Sequence, residues 1–301
     1  MLKSIDSHSE RFLADVRAID SRLARAQRQL SSGKRIHSAS DAPAELPSLL
    51  ATRTELAQMG QLRFNLGRIK TEVDTAEQSI RLGVDVMDRA LAVGSQGATG
   101  TATAQVRQIL AGEVKSLLGQ LVGIAGAKVE GRHIFAGDSD QTVPYTLDLT
   151  QASPVSAYGG SASTRETAHP SGTRFLVAYT AQEVFDSSTP SANVFQSLVS
   201  LYTSLESSDI DAINASVATV RSASDHLNNK LAGYGTIQNR VAEATEFATK
   251  QELHLKVRLS GLEDADLASA ATDLSEANFI RQTAFQAESR RPRQSLFDFL
   301  G

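Results

Sequence analysis

Apolar residues recur at alternating steps of three and four from the first residues of the chain. Leu2, Ile5, Phe12, Val16, Ile19, Leu23, Ala26 and Leu30 share one stripe, with Ser9 filling the gap, while Arg11, Arg17, Arg22, Arg25 and Arg28 fall mostly off it. This is a coiled-coil seam sustained for about four heptads. It runs out at Gly33, the residue type expected just past a helix C-terminus. A second seam, Leu62, Leu66, Ile69, Val73, Ala76, Ile80, Gly83, Met87 and Ala90, predicts a long helix that ends at the glycine-rich corner 94–100. Its start has two readings. Ser40 or Asp41 can cap it with Pro43 in the first turn, or residues 41–46 form a short turn and the helix starts near Pro47. Val106, Leu110, Leu117, Leu121 and Ile124 predict a third helix, stopping around Gly131.

The period then changes from 3.5 to two. Val143, Tyr145, Leu147 and Leu149 alternate with Thr142, Pro144, Thr146 and Asp148, and Phe175, Val177 and Tyr179 repeat the pattern. Turn-formers at Pro170, Gly172 and Pro190 bound these runs, so about 132–188 reads as a small β-rich insert, with Pro144 on an edge strand or at a bulge. Helical period returns over Val194–Leu205 and again after Asp209. Leu227, Leu231, Tyr234, Val241, Ala248, Leu255, Leu259 and Leu262 then lie on one seam. Leu267, Ala270, Leu274 and Ala277 mark a final helix, and Leu296, Phe297, Phe299 and Leu300 make an apolar tail. The expected fold is mainly α: an elongated antiparallel helical bundle or coiled coil built from both chain termini, with a small β-rich insert in the middle. The expected parts are terminal arms at 1–40 and 262–301, a helical bundle at 41–131 and 190–261, and the insert at 132–189.

Composition narrows the function classes. Of 301 residues, 41% are hydrophobic but only 5% aromatic, with no Trp, which suits thin bundles better than a thick globular core. Cys is absent, which excludes disulfides, thiolate metal sites and cysteine nucleophiles. A formal charge of −4 offers no basic field for nucleic acid. No apolar run approaches the ~20 residues of a membrane span, and Asp6, Glu10 and Asp15 interrupt any cleavable signal of the general secretory kind.

"SGKR" at 32–35 looks at first like a phosphate loop. Such a loop needs a second glycine five residues before Gly33 and Ser or Thr after Lys34, but those positions hold Arg28 and Arg35. It reads as a helix–helix connection. The six histidines show no spacing of three or four that would place two on one helix face, and solvated or locally hydrogen-bonded rings are the better reading. Glu263, Asp264 and Asp266 crowd together ahead of a helix, where the macrodipole favours carboxylates. No catalytic constellation, cofactor site or metal site emerges.

The two ends together resemble the bacterial flagellin family. "QLSSGKRIHSASDAPAEL" at 29–46 is similar to that family's N-terminal signature and "SGLEDADLASAATDLSEANFIRQTAFQ" at 260–286 to its C-terminal one. Within the family, "EGRHIFAGDSDQTVPY" at 130–145 and the ending "SLFDFLG" resemble the members of the hook–filament junction. Pro43 and Pro47 stand where many relatives have small residues, and the basic run at 289–293 is unusual so near the end. The resemblance implies an extracellular structural subunit, without enzyme activity or cofactor, that joins hook to filament by helical self-assembly. Its implied partners are itself, a neighbouring hook-associated junction protein, flagellin, the flagellar type III export apparatus and an export chaperone, with no nucleic acid and no membrane insertion. Three other readings stand beside it: flagellin, the bulk filament subunit; a cytoplasmic coiled-coil scaffold; and an enzyme carried on a helical bundle.

The expected assembly seam is Leu2, Ile5, Phe12, Val16, Ile19, Leu23, Leu30, Leu267, Leu274, Leu296, Phe297, Phe299 and Leu300, with Gly33 and Asp41 in the helix-ending loop. Burying one stripe does not offset the entropy of ordering so many backbone residues. The arms are therefore expected to be weakly ordered in a free monomer and to fold among other subunits.

Overall fold

The computed structural model describes residues 2–151 and 153–290, without the side chains of residues 2–8. The expectations for Leu296, Phe297, Phe299 and Leu300, for the side chains of Leu2 and Ile5, and for the basic run beyond Arg290 lie outside the described residues.

In chain order the elements are α1 (Leu2–Ser32), α2 (Leu46–Gly97), α3 (Ala104–Ala125), β1 (Lys128–Val129), β2 (Arg132–His133), β3 (Glu166–Ala168), β4 (Arg174–Leu176), α4 (Ala181–Phe185), α5 (Val194–Ser207), α6 (Ile210–Glu263) and α7 (Leu267–Ser289). A single 3-10 turn, Pro190–Ala192, precedes α5. Two compact units divide the chain, with boundaries inside α2 at Gln58/Met59 and inside α6 at Lys250/Gln251.

The middle unit, Met59–Lys250, has an apolar core. Leu66, Ile80 and Met87 of α2, Leu118 and Leu121 of α3, Leu198, Leu201 and Leu205 of α5, and Ile213 and Tyr234 of α6 are fully buried. Helix periodicity accounts for them, since each helix turns one stripe inward. At Gly94 a Cβ would stand 2.7 Å from Val217, so the helices approach more closely there than any larger residue allows. Where α2 ends, the buried Arg107 donates from Nε to the Gly97 carbonyl (2.9 Å) and from Nη2 to that of Thr99 (3.2 Å). These bonds satisfy carbonyls that the finished helix leaves without partners. Five rings of this unit, Phe135, Tyr145, Phe185, Phe195 and Tyr234, form one cluster. Phe135 meets Phe185 and Tyr234 edge-on, at 5.7 and 6.5 Å, and Tyr145 meets Phe195 at 4.9 Å.

The insert differs from the sequence reading in three ways. α3 stops at Ala125 rather than near Gly131, because the chain turns at Gly126 into the β1–β2 hairpin, whose two-residue tip, Glu130 and Gly131, has positive φ at both positions. The 142–149 run is not a regular strand; only Leu147 forms a bridge, with Val155. Its backbone does pair with 154–159: Asp148 N donates to Pro154 O at 2.8 Å, while Thr146 O and Pro144 O accept from Ser156 N at 3.0 Å and Gly159 N at 2.9 Å. Pro144 and Pro154 each lack an N–H, which removes rungs from that ladder. Lastly, the alternation at 175–179 becomes β4, paired antiparallel with β3, and then yields to the short α4. Thr180 and Glu183 form the capping box that starts α4, and "TAQE" is the signal that could have found it.

Candidate assembly surface

The unit bounded by Gln58 and Gln251 holds most of the expected seam. α1 and α7 pack against each other in antiparallel register. Lys34 bridges Asp264 just beyond their adjoining ends, Arg22 reaches Glu276 (3.8 Å) twelve residues further along each chain direction, and Phe12 meets Phe285 edge-to-face at 6.1 Å near the far end. Ala26, Ala270 and Ala277 are buried in this contact unit, whereas Phe12, Val16, Ile19, Leu23, Leu30 and Leu274 are only half-buried. The reason is geometric: a helix with one neighbour covers one stripe, and large side chains flanking small ones keep an open side. Leu267 remains 51% exposed and Leu13 52%, while Phe279, which the seam reading did not single out, is 69% exposed. Phe279 and Phe285 sit off the 267–270–274–277 stripe; two phenyl rings on an otherwise Ala- and Ser-rich helix were the signal for them.

The loop after α1 is a clasp. Gly33 takes φ +71, the left-handed conformation that closes a helix and that a β-carbon disfavours. Its carbonyl accepts from Ala265 N at 2.9 Å, and Arg35 N donates to the Glu263 carbonyl at 2.7 Å, a two-rung antiparallel bridge. Asp41 does not cap a helix. Its Oδ2 accepts the backbone N–H groups of His37 (3.0 Å) and Ser38 (2.8 Å) and so holds a turn, and these bonds keep its carboxyl below the usual carboxylate range. α2 starts at Leu46 with Pro47 in its first turn, as the second of the two sequence readings has it.

The reading of Glu263 as one of several helix-N-terminal carboxylates is corrected. Asp266 is the N-cap of α7, accepting from Ala268 N and Ser269 N at 2.9 and 3.1 Å. Glu263 is instead the last residue of α6, and only 3% of it is exposed. Lys34 Nζ pairs with its Oε1, and Arg53 Nη2 from the start of α2 lies 2.7 Å from Oε2. Burial pushes the carboxyl up, but the hydrogen bonds from Lys34 and Arg53 outweigh it, so Glu263 titrates below its ordinary range. Arg35 forks onto Glu45 and donates to the Leu262 carbonyl at 2.8 Å. The lysine of "SGKR" thus neutralises a buried carboxylate. Sequence spacing could not reveal that pairing, because its members lie far apart in the chain.

Among the described residues no cluster of three His, Asp or Glu side chains could hold a metal ion, and no helix is long and apolar enough to cross a membrane. What the unit offers is a pair of helices joined at one end, with large apolar side chains left uncovered.

Residues 8–140 match the bacterial flagellin N-terminal helical region, and residues 217–300 the bacterial flagellin C-terminal helical region. Over 275 residues, covering 90% of each chain, the protein is 23% identical to the flagellar filament 33 kDa core protein of Treponema phagedenis. In fold it is similar to a structure assigned as a flagellar hook-associated protein of Vibrio parahaemolyticus, with a TM-score of 0.66 at 19% identity, covering 74% of this chain and 100% of that one. The flagellar junction protein of Legionella pneumophila is similar too, with a TM-score of 0.56 at 14% identity, covering 65% of this chain and 99% of that one. Two terminal helical regions in the order the family requires, around a fold shared with hook-associated proteins, make this chain a member of the bacterial flagellin family and a structural subunit of the flagellum.

Proposed function

We propose that this subunit joins the hook to the filament, standing outside the cell at the hook–filament junction. The observation that carries the reading is the likeness in fold to hook-associated and junction proteins, which extends over nearly the whole of those chains. In this reading the arms at 1–40 and 262–301 form the assembly core, through Phe12, Val16, Ile19, Leu23, Leu30, Leu267 and Leu274 together with the apolar tail. The segments 41–131 and 190–261 form a supporting bundle, and 132–189 is the insert. The chain is exported by the flagellar type III apparatus with a chaperone. It then packs against further copies of itself, a neighbouring hook-associated protein and flagellin. An unpaired amphipathic helix pair suits that route, since its exposed apolar side needs a chaperone before assembly and a subunit afterwards.

A second reading, the bulk filament subunit, is favoured by the 23% identity to a filament core protein across 90% of both chains. Deleting the gene separates the two. The junction role requires intact hooks, no stable filaments and flagellin released into the medium. Deletion cells that keep normal-length filaments contradict it, and immunogold labelling along the filament rather than in a band at its base favours the second reading.

A further inference from the structure

A helix pair held by a heptad seam has a register problem. Ala270 and Ala277 are the buried positions of α7 and stand seven residues apart, while Phe12, Ile19 and Ala26 stand at the same interval on α1. Sliding one helix by a heptad therefore exchanges one small or apolar neighbour for another, and the seam alone distinguishes the two arrangements weakly. The connection 33–45 is long enough to follow such a slide. The flanking ion pairs, Arg22–Glu276 at 3.8 Å and Asp20–Arg281 at 3.4 Å, join side chains that are each about half exposed, so they contribute little to the choice.

We propose that Glu263 is the positioning residue that sets the register of α1 on α7. It lies beside the backbone bridge between 33–35 and 263–265, is buried, and takes one cation from the loop after α1 and another from the start of α2. A one-heptad slip carries α1 by ~10 Å along its axis. That separates Lys34 from Glu263, breaks both rungs of the bridge and leaves a buried carboxylate short of a partner, a heavily penalised state. Registry is the best-attested use of a buried polar group, because it penalises the alternatives even where it adds little net stability. With the register set, Leu13, Leu267, Phe279 and Phe285 are presented in one fixed arrangement. The consequence for assembly rests on the reading of this pair as the assembly element; the register itself does not.

The absence of cysteine makes the test clean. Cysteines at Arg22→Cys and Glu276→Cys report the native register, and Arg22→Cys with Ser269→Cys or Thr283→Cys reports a slip of one heptad either way. A thiol cross-linker shorter than the slip, applied to the purified full chain, should couple the native pair in large excess over either slipped pair. In the apolar triple variant Glu263→Leu/Lys34→Met/Arg53→Met helix content should persist, while the slipped product rises at least about tenfold, the factor that one lost charge-assisted hydrogen bond implies. The charge-reversed set Glu263→Lys/Lys34→Glu/Arg53→Glu should restore the single register. Slipped coupling that rivals the native product in the unaltered chain, no rise of slipped coupling in the apolar variant, or loss of its helices each overturns the proposal. None of these results depends on where the protein sits in the flagellum, so the register can fail while the junction reading stands.

Discussion

Glu263 illustrates how a single charge is made tolerable in a helical protein. Its carboxylate is withdrawn from water, which alone would favour the neutral acid, but the cations of Lys34 and Arg53 hold it ionised. The folded value lies below the ordinary 4.5, so as pH falls the unfolded chain takes up the proton first. The contribution of Glu263 is therefore fully present above about 4.5 and is lost as pH drops through the lower folded value. Glu45 shifts in the same direction through its bond to Arg35, and Asp41 through the His37 and Ser38 amides, though both are exposed to solvent. Glu263→Gln should lower the stability of the terminal unit by ~1–3 kcal/mol at neutral pH. Comparing urea midpoints at neutral pH and at about pH 3 should show that it also reduces the acid-dependent loss. An unchanged acid dependence in Glu263→Gln would place the titrating group elsewhere.

Among the elements, α1 and α7 stand apart because none of their described large apolar side chains is buried, whereas α2, α3, α5 and α6 each bury several, even with Phe64, Ile109, Leu253 and Val257 left exposed. Ile19 lies within that seam, whereas Arg22 reaches Glu276 across 3.8 Å between half-exposed groups. Ile19→Asp should therefore block incorporation into the assembled structure while the unit Met59–Lys250 keeps its cooperative unfolding. Arg22→Ala, worth ~0–1 kcal/mol, should change incorporation only slightly. Pelleting of assembled material with the variant subunits measures both; equal incorporation of Ile19→Asp and the unaltered chain would remove the seam from the assembly account. These helices were legible in the sequence because a sustained period reports a face wherever one face is buried. Gly33 and the Gly94–Gly97 corner likewise announced two ends. The insert was less legible. The alternation of Tyr145 and Leu147 describes which side chains turn inward, but prolines at 144 and 154 decide that no regular strand forms. Glu263, Lys34 and Arg53 were legible individually as charged residues, yet their meeting is made by chain reversal, which no local pattern encodes.

At the scale of the whole molecule, the two units answer different requirements. The middle unit carries its own apolar core and ring cluster. The terminal unit leaves Leu13, Leu267, Phe279 and Phe285 exposed, and in the assembly reading proposed above these await surface supplied by other subunits. Burying a phenyl ring such as Phe279 supplies ~1.5–3 kcal/mol, enough to shift local opening by roughly tenfold to a hundredfold per ring.

Hydrogen exchange across Phe12–Leu23 and Leu267–Phe285 tests this most directly, followed in a verified monomer and in the assembled state. Protection in the monomer should be low, should rise toward the clasp at Gly33 and Glu263, and should increase at least about a hundredfold on assembly. Strong protection of both segments in the monomer, unchanged by assembly, would mean that the terminal pair is complete without partners and would contradict the account.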